Sequence, residues 1–109
     1  MYNITPEFHD EMIGYTSQLT HAMAVSLVNS NNNPEVFKFI GDSYRDLTRI
    51  AMINENLWSE LFIENKEELV KKIDEFVFEL EKVKNAIIIE DLDLLKERFV
   101  SSKKKREVM

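Results

Sequence analysis

The sequence predicts an all-α fold of five to six helices with one long helix, as a single domain over residues 1–109. Three observations carry that reading. The 109 residues include only 2 Gly and 2 Pro, and both prolines follow a residue suited to capping a helix. From Leu69 to Ile87 apolar residues recur at alternating four and three spacing, the period of a helix face. The only strand-like stretch is Ile87-Ile88-Ile89, and no internal repeat is present.

Each element follows from local signals. Thr5-Pro6-Glu7 supplies a side-chain cap, a proline for the first turn and an acid at the positive end of the helix dipole, so a helix starts there. Phe8, Met12, Ile13, Leu19, Met23 and Leu27 form its apolar face, and the run Asn29 to Asn33 ends it. Asn33-Pro34-Glu35 opens a short helix that stops before Gly41. Tyr44 to Ile53 is helical and unusually apolar, and Asn54 caps a short helix carrying Leu57, Trp58, Leu61 and Phe62. Asn65 with Glu68 approximates a capping box. It begins a helix of roughly 22 residues, about 33 Å long at the usual rise. Leu69, Ile73, Phe76, Leu80, Val83 and Ile87 make its main seam, and Val70 with Val77 widen it. A face this broad on so small a domain predicts contact with a second copy, an intertwined homodimer; the alternative is that it faces the first and last helices of its own chain. The last helix starts near Asp91 and carries Leu92, Leu95, Phe99 and Val100.

Composition excludes several classes of function. The formal charge is -6, and 4 of the 14 basic residues are clustered as Lys103, Lys104, Lys105 and Arg106. Without that tail the body is more acidic still, which argues against nucleic acid, whose phosphates need a basic face. The cluster reads as a solvated helix end favoured by the dipole. With no cysteine, disulfides and thiolate chemistry are excluded, which is compatible with a cytoplasmic protein. The start Met1-Tyr2-Asn3 lacks the basic and apolar regions of a signal peptide, and no apolar run approaches the roughly 20 residues that span a bilayer. The expectation is a chain with no membrane partner.

Two features could carry chemistry. Asp10, Gly14, Ser17 and His21 are spaced by four, three and four, so they share one helix face. The glycine gap leaves room for something to lie against the helix, where Ser17 and His21 could donate hydrogen bonds to a ligand; equally, the face could simply be solvated. The second is Arg49, set in Leu47-Thr48-Arg49-Ile50-Ala51-Met52-Ile53. Apolar neighbours predict partial burial, and a buried guanidinium needs an anion to offset desolvation. Asp46, three residues earlier, could be that anion; the remaining donors could then take a ligand carboxylate in bidentate geometry. A purely structural Arg49–Asp46 pair fits the spacing as well. Residues 1 to 65 hold only Lys38, Arg45 and Arg49 as strong cations, so an anion site here draws on very few residues. Trp58 could wall an apolar pocket or fill the core.

Other chemistries lack their residues. A dinucleotide fold needs a glycine-rich turn for close backbone approach to the pyrophosphate, and Gly14 and Gly41 are far apart. His9-Asp10 superficially suggests a metal hydrolase, but His21 lies about 120° round the same helix. No metal site and no cofactor site in this chain are expected.

Taken in order, His9-Asp10, Ser17-Gln18-Leu19-Thr20-His21, Tyr44-Arg45-Asp46-Leu47-Thr48-Arg49-Ile50-Ala51, Leu57-Trp58 and Glu64-Asn65 resemble the C-terminal helical domain of prephenate dehydrogenase, from about Thr5 to Arg106. The Arg-Asp-Leu-Thr-Arg-Ile-Ala stretch is the most specific part. The chain departs from the family's Ser-His-Leu-Pro-His at Gln18 and Thr20, and has Asp42-Ser43 where the family often has glycines.

The resemblance implies an enzyme of tyrosine biosynthesis that oxidatively decarboxylates prephenate to 4-hydroxyphenylpyruvate, passing a hydride to NAD or NADP. It implies an N-terminal Rossmann domain holding the cofactor and the catalytic histidine, neither of them in this chain, and a helical half that closes the cleft and forms the homodimer. Carried over, Arg49 resembles the arginine that binds a prephenate carboxylate and His21 the histidine lining the pocket. Asp46 resembles the acid that positions the arginine, Ser17 and Thr48 are hydrogen-bonding pocket residues, and Trp58 is the aromatic wall. The expected function is thus the dimerisation and substrate-binding domain of that enzyme, inactive alone. The competing readings are a stand-alone helical interaction module and a helical chorismate mutase; the latter is disfavoured because its dianionic substrate requires several cations.

Overall fold

In the computed structural model, which describes residues 5–109, the chain forms six α-helices with 3-10 and π segments between them. No strand occurs among the described residues. The Met1-Tyr2-Asn3 start read in the sequence lies outside them. The helices are α1 (Pro6–Ile13), α2 (Leu19–Asn29), α3 (Asp42–Thr48), α4 (Glu55–Glu64), α5 (Lys66–Ile88) and α6 (Leu92–Glu107). The all-α class with one long helix is what the sequence predicts, and the starts at Thr5, Asn33, Asn54 and Asp91 fall where their capping side chains predict.

The Thr5 hydroxyl accepts from the Phe8 amide at 3.1 Å, Asn54 accepts from Asn56 and Leu57, and Asp91 accepts from Leu94 at 3.0 Å. The expected capping box at Asn65 does not form. The Asn65 amide nitrogen instead donates to the Asp10 carbonyl at 2.9 Å and to Gln18 Oε1 at 2.8 Å. One oxygen of Glu68 is buried without a hydrogen-bond partner among the described residues.

The chain divides into two compact units, residues 1–73 and 74–109, and α5 runs from the first into the second. In the first unit, α1 continues into α2 through a π turn at Gly14–Gln18, where the Leu19 amide reaches back five residues to the Gly14 carbonyl. Helix α2 packs against α3 and against the 3-10 segment Arg49–Ala51. Leu19, Ala24 and Leu69 are buried here, together with Gln18 and Lys72. Lys72 is tolerated inside because its ammonium reaches the Glu11 carboxylate at 3.1 Å.

In the second unit, the later turns of α5 and the whole of α6 are joined by a turn in which Glu90 takes φ 57°. The Asp91 amide bonds the Ala86 carbonyl at 2.9 Å and the Glu90 amide bonds Ile87 at 3.1 Å. This is the Schellman arrangement, which requires a left-handed residue at the position of Glu90. Arg98 ties α6 to Glu79 of α5 at 3.2 Å. Ala86 is buried, whereas Phe78, Leu80, Ile87, Ile88, Leu92 and Phe99 are exposed. Val70 and Val77, the second row of the long helix, are exposed too.

Candidate functional site

Every candidate site residue lies in the first unit. Ser17 is in the π turn and His21 in the first turn of α2, four residues on. The His21 Nδ1 lies 2.7 Å from the Ser17 carbonyl oxygen, and the Thr20 hydroxyl donates to the same oxygen at 2.7 Å. The part of Ser17 that engages His21 is therefore its backbone.

Trp58, from α4, stacks on the His21 ring with centroids 3.8 Å apart and planes at 20°. Phe62, one turn further along α4, meets Trp58 edge-on at 6.1 Å. These aromatic contacts join α4 to α2. Trp58 is half-buried and shields one face of His21, so its primary contact is the imidazole.

Arg49 departs from expectation in two ways. It is exposed, where its apolar neighbours predicted burial, and no carboxylate among the described residues lies within 4.0 Å of it. The expected Asp46 partner is exposed as well and makes no ion pair among the described residues. The physical reason lies in the local backbone and in solvation. Helix α3 ends at Thr48, and Arg49 opens a separate 3-10 turn. An exposed pair gains about 0–1 kcal/mol, too little to order a long arginine side chain against a short aspartate. Ile50 and Ala51, not Arg49, carry the apolar packing of this segment, and both are half-buried.

Thr48 spends its hydroxyl proton on the Tyr44 carbonyl at 2.6 Å, one turn back. It can still accept a hydrogen bond. The Tyr44 hydroxyl itself is buried without a partner among the described residues. Of the other cations in this half, Lys38 pairs with Glu35 at 2.8 Å, while Arg45 is exposed and, like Arg49, has no acid beside it among the described residues.

The polar face of the first helix resolves differently from either reading of it. A Cβ on Gly14 would lie 3.4 Å from Asn65 Nδ2 and 3.6 Å from the Glu68 Cβ. The space beside the glycine is taken by the start of α5, not by a ligand or solvent. Gln18, 5% exposed, donates to the Leu61 carbonyl at 3.3 Å and accepts from Asn65. This amide clamp between the π turn, α4 and the start of α5 was not legible beforehand, because nothing in sequence spacing links Gln18 to Asn65. The one available signal was Gln18 standing where the family pattern has histidine.

His9 and Asp10 face each other at 3.5 Å on the surface, and no group of three or more acids and histidines among the described residues could hold a metal. A hollow of about 380 Å³ is lined by Glu7, Asp10, Glu64, Asn65, Glu67 and Glu68 among others. Its acids outnumber Lys66 and disfavour an anion, and of the polar face that carries Ser17 and His21 only Asp10 lines it. No helix among the described residues is long and apolar enough to cross a membrane.

A helical scaffold with broad apolar faces, and with an arginine that no acid among the described residues neutralises on a segment packed against a histidine-bearing helix, is the class that fold and site define. Residues 5–101 match the family model described as prephenate dehydrogenase, dimerization domain, and the chain belongs to that family. It is 32% identical to the cyclohexadienyl dehydrogenase of Zymomonas mobilis, with 94% of this chain and 37% of that protein aligned. It is 29% identical to the prephenate dehydrogenase of Bacillus subtilis, with 95% of this chain and 29% of that one aligned. The chain thus spans about a third of the length of these relatives. Among solved structures, prephenate dehydrogenase from A. aeolicus in complex with hydroxyphenyl propionate and NAD+ is 37% identical, with TM-score 0.86 over 95% of this chain and 38% of that one. The arogenate dehydrogenase of Synechocystis, 18% identical with TM-score 0.87, shares the fold.

Proposed function

We propose that residues 1–109 act as one dimer-forming, substrate-binding domain of a prephenate dehydrogenase, with Arg49 taking a prephenate carboxylate. The observation that carries this is the exposed guanidinium, without a carboxylate beside it among the described residues, on a segment packed against the helix of His21. Prephenate is a dianion, and an arginine fork meets a carboxylate with two parallel charge-assisted hydrogen bonds. Such a contact supplies charge and orientation together. His21 and Trp58 form the adjoining aromatic wall, and the Thr48 hydroxyl oxygen and the Ser17 side chain supply polar edges. Asp46 does not hold Arg49 here, so its proposed contribution is limited to the field near the site.

The residues of this chain do not fit a dinucleotide, since no glycine-rich turn follows a strand among the described residues. NAD or NADP and the catalytic histidine therefore belong, in this reading, to a Rossmann domain that works with this one. The setting is a cytoplasmic biosynthetic enzyme, without nucleic acid or membrane as partner. This chain contributes binding, orientation and closure of the cleft.

The test is calorimetric titration of prephenate into the chain reconstituted with its nucleotide-binding domain. Arg49→Ala is expected to weaken binding by on the order of a hundredfold, the loss of a hydrogen-bonded charge pair, while leaving the dimer intact. Unchanged affinity would remove Arg49 from the site. A dimer that binds no prephenate even with Arg49 present would favour a stand-alone interaction module.

A further inference from the structure

We infer that the Ser17 carbonyl and the Trp58 ring are positioning devices that lock His21 in one tautomer, so that its Nε2 is offered as a hydrogen-bond acceptor to a donor group on the ligand. This deepens the substrate-binding reading and rests on it for the identity of the site. A carbonyl oxygen can only accept, so the 2.7 Å approach of His21 Nδ1 to Ser17 places the ring proton on Nδ1. A neutral imidazole has one such proton. Its Nε2 then carries a lone pair, and no protein group among the described residues takes it.

The stack supplies the second constraint. With Trp58 parallel to the ring at 3.8 Å, rotation of the imidazole about its own bond would break the ring contact. Trp58 is held in turn by Phe62 edge-on. A hydrogen bond fixing one nitrogen and a stack fixing the plane leave Nε2 with a single direction. This is how binding sites orient an imidazole when its tautomer matters.

The chemical consequence concerns which part of a ligand His21 meets. A carboxylate only accepts hydrogen bonds, and a neutral Nε2 only accepts them, so the two do not pair. Arg49 is suited to the carboxylate and His21 to a donor, either a ring hydroxyl or an ammonium. A guanidinium on one segment and an acceptor nitrogen on the helix it packs against are suited to two different groups of one small molecule.

The first measurement is the long-range proton–nitrogen correlation spectrum of the His21 ring in alkaline solution, assigned by its loss in His21→Gln. The expected pattern is a protonated Nδ1 and a bare Nε2. A proton on Nε2 would overturn the inference whatever the ligand. Trp58→Leu is expected to give a mixture of tautomers and Trp58→Phe to retain the single one; a single tautomer in both would remove Trp58 as a positioning residue. In the reconstituted protein, 3-(4-hydroxyphenyl)propionate, phenylalanine and 3-phenylpropionate then separate the sources. A lower Nε2 frequency with the first alone assigns a hydroxyl, with the second alone an ammonium, and with both a site open to either donor. An equal response to 3-phenylpropionate would overturn the acceptor role, as would binding of all three without response. Failure of all three and of prephenate to bind would count against the proposed function, with the tautomer spectrum still deciding this inference.

Discussion

Arg49 begins a 3-10 turn with no carboxylate beside it among the described residues; the turn packs against α2, and Ile50 and Ala51 are its half-buried members. That division of labour leaves the guanidinium hydrated. Sequence spacing made Arg49 visible but misjudged its surroundings, because apolar neighbours along the chain do not bury a side chain when the helix ends one residue earlier. His21 and Trp58 were legible only as separate candidates; their stack depends on α4 meeting α2, which no local pattern encodes. The Gln18–Asn65 clamp is the cost-bearing polar contact at this scale. Asn65→Ala leaves buried Gln18 without its donor, and a loss of about 1–3 kcal/mol is expected in urea unfolding. A change below a few tenths would mean that water replaces the amide.

At the scale of elements, helix starts were readable because a cap is a local event. Thr5, Asn33, Asn54 and Asp91 each bond an amide two or three residues ahead. Asn65 is not a cap: its backbone at φ -111°, ψ 32° lies outside the extended region a capping residue takes, and its side chain is turned so that the nitrogen donates to Asp10 and Gln18. The turn between α5 and α6 carries a removable strain, since Glu90 sits at φ 57° where glycine pays no steric cost. Glu90→Gly is expected to stabilise the chain by about 0.5–1 kcal/mol, read as a higher urea midpoint. A lower midpoint would show that the Glu90 side chain does something the turn geometry does not reveal.

The same pair of helices has a pH signature. The Lys82 hydrogen bond, aided by the charges of Lys82, Arg98 and Lys105, holds the Glu79 carboxyl below its ordinary 4.5. A depressed carboxyl stabilises the fold above the unfolded value and loses that contribution as pH falls through the folded one. The effect therefore declines once pH falls below the ordinary 4.5, is gone only below the depressed folded value, and is absent in Glu79→Gln. Chemical unfolding of the two proteins at neutral pH and at pH 3 checks this: the difference between them is expected to shrink in acid, and added salt is expected to shrink it at neutral pH.

For the whole molecule, the buried apolar residues among those described are Leu19, Ala24, Leu69 and Ala86, and no large side chain is fully enclosed. Against that stand Phe39 at 84% and Met52 at 93% exposed, and the exposed Phe78, Leu80, Ile87, Ile88 and Phe99 of the second unit. A chain with so much uncovered apolar surface and so small a core is expected to gain most of its stability from whatever covers that surface. The doubled apolar face of the long helix was legible in the sequence as Val70 and Val77 beside the main seam; the uncovered surface around Phe39 and Met52 was not, because short 3-10 segments leave no periodic trace. A second copy is the cover that this account requires. If so, unfolding is coupled to dissociation, and the midpoint rises with protein concentration.

Sedimentation equilibrium of the chain at micromolar concentration tests this most directly. The expected mass is twice the 12.9 kDa of one chain, retained in Arg49→Ala; a species at the mass of a single chain, folded and stable across that concentration range, would contradict it.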